Sequence, residues 1–456
     1  MIPDIYEFAS KARNFGELVQ YYEELVPVVY PATFPENFRL APTDWHLPSA
    51  VCQRDMVTDK GQSIRPIGTL DVEFLSDEII DLAQKGLVNL TKNYPCGLKC
   101  PGCFSEDVTY QDANTFLRWP EVFDVIDDAR TIGLKSVKFL GPGELFQNPD
   151  LFKILDAAEE RRIPISIFTK GAELGDDHLA QHVFGRFGIG GASDLVSRIA
   201  EYSCVRILLG FNSFDPTKQD KMVGSYRASG HYEFLGGTFM NRGVEKYTQK
   251  RNMALRNLVH AKFNSPDKGQ RLSLIAAPLR LDQFAEIPDM YVWAARRNMP
   301  LVIAPTMESG PKARGLMHSD TKKDPRHETL KQIFIGVYAR AIDEGIVDLK
   351  TLEEEGISAY MGTAPCNQVA QGMYLRINGQ VQICPGSLDP NHVFGNVHEK
   401  SIIEIWRDSP NYALGMLQNN WCRAKQQGMP QWLQADVMSH LIDRGKPEDQ
   451  HWGVRP

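Results

Sequence analysis

The sequence has no uninterrupted apolar run approaching the roughly 18 residues that a membrane-spanning helix requires. Its N-terminus, Met1-Ile-Pro-Asp-Ile-Tyr-Glu7, carries no basic stretch followed by an apolar one. Neither a signal peptide nor a membrane span is expected, and the expected location is cytoplasmic. An excess of positive charge is missing as well: 50 lysines and arginines face 57 acidic residues, a formal net charge of −7. That balance gives no bulk electrostatic reason to expect nucleic acid or an anionic membrane as a partner. There is no fixed-period repeat and no low-complexity tract in the 456 residues. Hydrophobic residues make up 43% and charged residues 23%, the usual balance of a soluble globular protein. The length suits one large catalytic domain with appendages, or two to three modest domains, with ample chain to bury a core.

Cysteine is scarce but clustered. The eight are Cys52, Cys96, Cys100, Cys103, Cys204, Cys366, Cys384 and Cys422. In a reducing compartment, clustered cysteines are metal ligands or catalytic groups more often than disulfides.

The hydrophobic pattern divides the chain into three. Residues 1–85 read as an N-terminal extension, helical over 5–30 and proline-rich over 31–70. Residues 86–345 alternate short apolar runs with helical periodicity. The expected strands are Leu87–Thr91, Ser136–Leu140, Ile163–Thr169, Val205–Phe211, Leu272–Ala277 and Leu301–Pro305. The helices between them fall at Glu121–Ile132, Asp150–Arg161, within 177–202, at Glu245–Lys262 and at Phe284–Arg297, with another near 326–344. Six strand–helix units predict a parallel α/β architecture, an open sheet or a partial barrel, with its site at the C-terminal strand ends. Residues 346–456 read as a small domain with a hairpin (Met373–Leu375, Asn378-Gly379, Val381–Ile383) and a helix near Ile402–Trp406. Such a domain needs a metal centre to hold it together. The charged helix Arg251–Lys262 and the run Glu353-Glu354-Glu355 read as solvated faces.

Directly after the first expected strand comes Cys96-Gly97-Leu98-Lys99-Cys100-Pro101-Gly102-Cys103-Phe104, a C-x3-C-x2-C spacing on one loop. Three thiolates so placed bind three corners of a cubane cluster and leave the fourth iron open to a small molecule. A zinc site would want a fourth cysteine or histidine nearby, and none is there. The second strand runs into Gly141-Pro142-Gly143-Glu144, a turn that exposes backbone amides beside a carboxylate suited to an ammonium group.

This loop and turn resemble the radical S-adenosylmethionine (radical SAM) superfamily. The resemblance implies a partial (β/α)6 barrel over about residues 86–320. It also implies a [4Fe–4S] cluster on Cys96, Cys100 and Cys103 whose open iron holds the amino and carboxylate groups of SAM. A one-electron reductant such as flavodoxin or ferredoxin follows from the same chemistry. Gly141, Gly143 and Glu144 stand where the family has a Gly-Gly-Glu-Pro turn holding the SAM amino group. Lys170, in Thr169-Lys170-Gly171, stands where the family often has asparagine; it faces the SAM carboxylate, a substrate anion or solvent. Asn212 and Ser213 match a ribose-contacting position. The family often has an aromatic residue before the third cysteine; here that position is Gly102, and Phe104 follows the cysteine instead as the candidate adenine contact. Cys204 reads as a core residue, with hydrogen-atom donation as the functional alternative. The loop Thr306–Gly315 brings Glu308, Lys312 and Arg314 to the barrel mouth, for substrate or for solvent.

Cys366, Cys384 and Cys422 sit in a segment, roughly 360–425, that resembles the SPASM or twitch extension of some radical SAM barrels. With three cysteines rather than the seven of a full SPASM set, a shortened twitch-type domain with one auxiliary [4Fe–4S] cluster fits. Cys52, another side chain, water or the substrate would supply its fourth ligand. The chain broadly resembles carbohydrate-modifying members. The expected substrate is therefore a polar small molecule, a sugar, aminocyclitol or natural-product precursor undergoing dehydration, dehydrogenation, epimerisation or deamination. The alternative is a ribosomal peptide, although neither a winged-helix recognition domain nor seven cysteines is evident. No cobalamin domain is evident in the first 85 residues.

Overall fold

Six parallel strands follow one another in chain order across a single sheet. The computed structural model describes residues 3–35, 56–57, 61, 63–90, 96–98, 100–101, 103, 112–225, 234–235, 238–239, 244–268, 270–277, 286–303, 325–357, 372–383, 385, 393–410, 412 and 431–444. The strands are β1 (Thr69–Glu73), β2 (Ser136–Gly141), β3 (Ile165–Thr169), β4 (Val205–Gly210), β5 (Leu272–Ala276) and β6 (Leu301–Ile303). Helices connect them: α3 (Asp77–Gln84) and α4 (Trp119–Arg130) between β1 and β2, α5 (Leu151–Glu160), α6 (Asp177–Phe184) and α7 (Ala192–Ala200), α8 (Pro216–Val223) and α9 (Tyr247–His260), and α10 (Ile287–Ala295). Before them come α1 (Ile5–Lys11) and α2 (Phe15–Leu25). The expected six-stranded α/β architecture is thus present.

One strand is not where the sequence reading put it. Residues 87–90 form no strand. Val88 and Leu90 instead join a small buried cluster with Ile79, Ile80 and Ile377, while Leu87 is exposed. The first strand is Thr69-Leu-Asp-Val-Glu73, inside the segment read as an extension. Buried parallel strands usually show as continuous apolar runs, and Asp71 and Glu73 break that signal. Both are buried because each has a partner: the Lys138 ammonium lies 2.9 Å from Asp71, and the Ile377 N–H donates to Glu73 at 2.7 Å.

The two faces of the sheet differ. Leu70, Val72, Val137, Phe139, Ile165 and Ile167 point outward into the main core under the helices. On the inner face Leu208, Ile275 and Val302 cluster beside Phe168. The same face also carries polar residues from β1 to β4. The strand register sets Asp71, Lys138, Ser166 and Arg206 in one row on neighbouring strands.

A hairpin of β7 (Gly372–Leu375) and β8 (Gln380–Gln382), followed by β9 (Val393–Asn396), extends the same sheet. β7 pairs parallel with β1, so the C-terminal unit continues the barrel sheet from its first strand. The expected hairpin is confirmed, with Gly379 at φ 80° in its turn, where an L side chain is strained. The Tyr374 hydroxyl donates to Glu73, fixing the hairpin to β1 by side chain as well as by ladder. The helix α13 (Ile402–Asp408) starts with a capping box: the Glu404 amide donates to Ser401 Oγ and the Ser401 amide to Glu404. Helices α11 (Pro325–Asp343), α12 (Leu349–Glu355) and α14 (Gln431–Arg444) lie after the barrel strands.

Candidate cluster and cofactor site

The turn after β2 takes its shape from two glycines, Gly141 at φ 136° and Gly143 at φ 80°, in a region that side chains avoid. It carries Glu144 inward, to 8% exposure. There the carboxylate accepts the Thr169 hydroxyl and the Lys170 amide, the latter at 3.0 and 3.1 Å. The ends of β2 and β3 are thereby joined, and the structure brings together Glu144 and Lys170. Burial pushes the Glu144 carboxyl up to about 7, against the pull of the Thr169 and Lys170 bonds.

The cysteine loop rests on the same turn. The Gly97 amide donates to Gln147 Oε1 at 2.9 Å, and Gln147 Nε2 donates to Glu173 Oε1 at 2.6 Å. Gln147 lies three residues beyond Glu144, and Glu173 four beyond Thr169, so the loop is anchored to the ends of β2 and β3. Sequence reasoning singled out neither residue. Their positions, just past strand C-termini where ligand sites gather, were the available signal.

Cys96, Cys100 and Cys103 are half-buried free thiols. Cys96 and Cys100 pack against a small apolar cluster that includes Leu98, Ala172, Val223 and Tyr247. Burial holds the Cys96 thiol well above its usual range, with the Glu144 charge adding to it. Burial also pushes Cys100 up to about 12, while the Lys170 ammonium pulls it down. Thiols in such surroundings become thiolates when a cationic metal centre supplies the compensating charge. Among the described residues no three His, Cys, Asp or Glu side chains converge on one point as ligands of a single ion. A cubane does not require that, because it takes each thiolate at a different iron corner. The donor set of three soft thiolates therefore fits an iron–sulfur cluster better than zinc.

Asn212 and Ser213 follow β4, where their amides both donate to Gln219 Oε1 at 2.7 and 3.1 Å. The Ser213 hydroxyl donates to Glu286 at 2.7 Å, so it braces α10 against this strand end. Beneath them Arg251 is fully buried, which corrects its reading as part of a solvated face. Its guanidinium lies 3.7 Å from the Phe211 ring centre and donates to Gln219, the Tyr22 hydroxyl and the Ser213 carbonyl. The ring face and these acceptors replace water around the charge. Cys204 is buried just ahead of β4, its amide bonded to Glu159 at 2.8 Å, in keeping with the core reading. Phe104, Cys52, Cys366, Cys384, Cys422, Glu308, Lys312 and Arg314 lie outside the described residues.

Glu173 gives a pH signature. Burial first, then the Glu144 charge, pushes its carboxyl up to about 8 from an ordinary 4.5. Below pH 4.5 folded and unfolded chains are both protonated and nothing is lost. Between 4.5 and 8 the unfolded chain ionises while the folded one keeps its proton, so stability falls as pH rises. A Glu173→Gln chain keeps an acceptor for Gln147 and loses this dependence. Thermal unfolding is expected to show it matching the parent chain near pH 4.5 and more stable at pH 8.

The description of the SPASM family, an iron–sulfur cluster-binding domain, matches residues 366–427, which span Cys366, Cys384 and Cys422. Among solved structures, the chain is similar to native anSMEcpe with bound AdoMet and Cp18Cys peptide, at 12% identity over 83% of this chain and 99% of that one, with a TM-score of 0.50. It is also similar to SuiB from Streptococcus suis bound to S-adenosylmethionine, at 16% identity over 78% of this chain and 69% of that one, with a TM-score of 0.46. None of the curated proteins matches it. The chain has the fold of the radical SAM enzymes. It carries a SPASM iron–sulfur domain at its C-terminal end. Among the described residues no helix is long and apolar enough to cross a membrane.

Proposed function

We propose that this chain is a radical SAM enzyme that modifies a peptide. The observation that carries the chemistry is three free thiols on one short loop that is anchored beside the buried Glu144, whose carboxylate knits two strand ends together. Cys96, Cys100 and Cys103 would hold a [4Fe–4S] cluster, and with SAM bound it would supply one-electron reductive cleavage of a carbon–sulfur bond of SAM and hydrogen abstraction from substrate. Glu144, ionised as it meets an ammonium group, holds the amino end of SAM. Gln147 and Glu173 keep the cysteine loop in place. The Asn212 side offers polar groups to a ribose, with Gln219 fixing the backbone. Flavodoxin or ferredoxin is the electron donor this scheme calls for.

The sequence pattern favoured a polar small molecule over a peptide. Two findings support the peptide instead. The C-terminal segment matches the SPASM family despite its few cysteines, and the neighbour of like fold was solved with a peptide as well as AdoMet.

Label transfer tests the substrate class. Reconstituted enzyme, SAM and reductant are incubated with a deuterated peptide pool or a deuterated amino-sugar pool. Deuterium in 5′-deoxyadenosine from the peptide pool alone is the expected result. Deuterium from the sugar pool alone would return the small-molecule reading.

A further inference from the structure

Lys170 is built into the site from three directions. Its amide is held by Glu144, and its carbonyl accepts the Tyr247 hydroxyl at 2.8 Å. Its ammonium lies 5.0 Å from the centre of the Phe168 ring. Its stem crosses the end of β4 at Gly210, where a Cβ would stand 2.7 Å from Cδ and 3.0 Å from Nζ. A methyl group at Gly210 would make the lysine stem shift, so the bare Cα leaves it this path. A solvated lysine needs no such cradle. Among the described residues no carboxylate lies within ion-pair distance of the ammonium, although its charge acts on the buried Glu144. Its neighbourhood is that of the cysteine loop: Tyr247, which grips the Lys170 carbonyl, belongs to the small cluster that Cys96 and Cys100 pack against.

We infer that Lys170 is the resident cation of the cluster site, held across Gly210, where it favours the reduced cluster and raises its potential. The inference rests on the cluster assignment above. Three thiolates give the centre net negative charge, and one further electron makes it more negative. A fixed ammonium in a site of low dielectric lowers the cost of that electron. The electron comes from the external one-electron donor. Lys170 is thus a tuning and positioning residue, and its neighbour Gly210 belongs to the same device.

The test is a reductive titration of the anaerobically reconstituted full chain, followed by the spin signal of the reduced cluster, with neither SAM nor substrate present. Lys170→Met is expected to shift the midpoint to lower potential, and Lys170→Arg to stay near the parent value. Gly210→Ala keeps the charge but pushes a methyl group into its stem, and is expected to move the midpoint the same way as Lys170→Met. Iron and sulfide content and thermal unfolding establish that each variant is folded and loaded. An unchanged midpoint in loaded Lys170→Met overturns the inference. A parent chain that takes up no cluster at Cys96, Cys100 and Cys103 would instead sink the enzyme reading, and this inference with it.

Discussion

Replacing any one of Cys96, Cys100 or Cys103 with alanine is expected to remove the SAM-binding cluster and bring SAM cleavage to background, with the barrel still folded. The cysteine loop contributes little to the main core. Cys96 and Cys100 touch a small cluster with Leu98, Ala172 and Tyr247, separate from the large core under the helices. Losing one thiol leaves a cubane with two protein ligands, which the loop cannot retain. Iron analysis reads the result directly: each variant should lose about four irons per chain relative to the parent, while the auxiliary cluster's share remains. Circular dichroism should show the same helix content and a similar melting temperature. Full iron content in all three variants would remove these residues from the site.

Lys138→Met is expected to produce the largest loss of stability among single substitutions in the sheet. Lys138 and Asp71 face one another on β2 and β1, 2.9 Å apart, with side chains 7% and 0% exposed. Removing the ammonium strands a carboxylate inside the barrel, at a cost of about 3–5 kcal/mol. The pH dependence identifies the cause. Burial already pushes Asp71 up to about 6 from 3.8, against the pull of Lys138. For an acid raised in this way, stability is intact below the unfolded value and falls as pH climbs through the interval to the folded one. Without Lys138 that interval extends upward. Urea unfolding at pH 5 and pH 8 should therefore show a smaller penalty at pH 5. The double variant Asp71→Leu/Lys138→Met should recover much of the loss, since a buried pair replaced by apolar side chains is often neutral.

The strands β2–β6 were legible because each is a short, nearly continuous apolar run buried on both faces, and the helices between them keep a period of 3.6. β1 was not, because Asp71 and Glu73 are compensated by residues 67 and 301 positions away, a pairing that no local window contains. The same reason hid Arg251, whose acceptors come from α2, α8 and the end of β4. At the site, the cysteine spacing and the glycine-rich turn were legible because they are local motifs. Gln147 and Glu173 were not, since the bond from Gln147 to Gly97 spans 50 residues and only the folded chain brings the two together. Gly210 looked like an ordinary strand end until the Lys170 stem was seen to cross it.

The central claim is that the three-thiol loop and Glu144 together serve the reductive cleavage of SAM. The direct measurement is 5′-deoxyadenosine formed by the anaerobically reconstituted chain with SAM and a strong reductant, quantified by mass spectrometry beside the Cys100→Ala chain. The account predicts 5′-deoxyadenosine from the parent, rising when the correct peptide is added, and none above background from Cys100→Ala. A parent chain with intact clusters that forms none under any condition would contradict it and leave the thiols a structural or electron-carrying role.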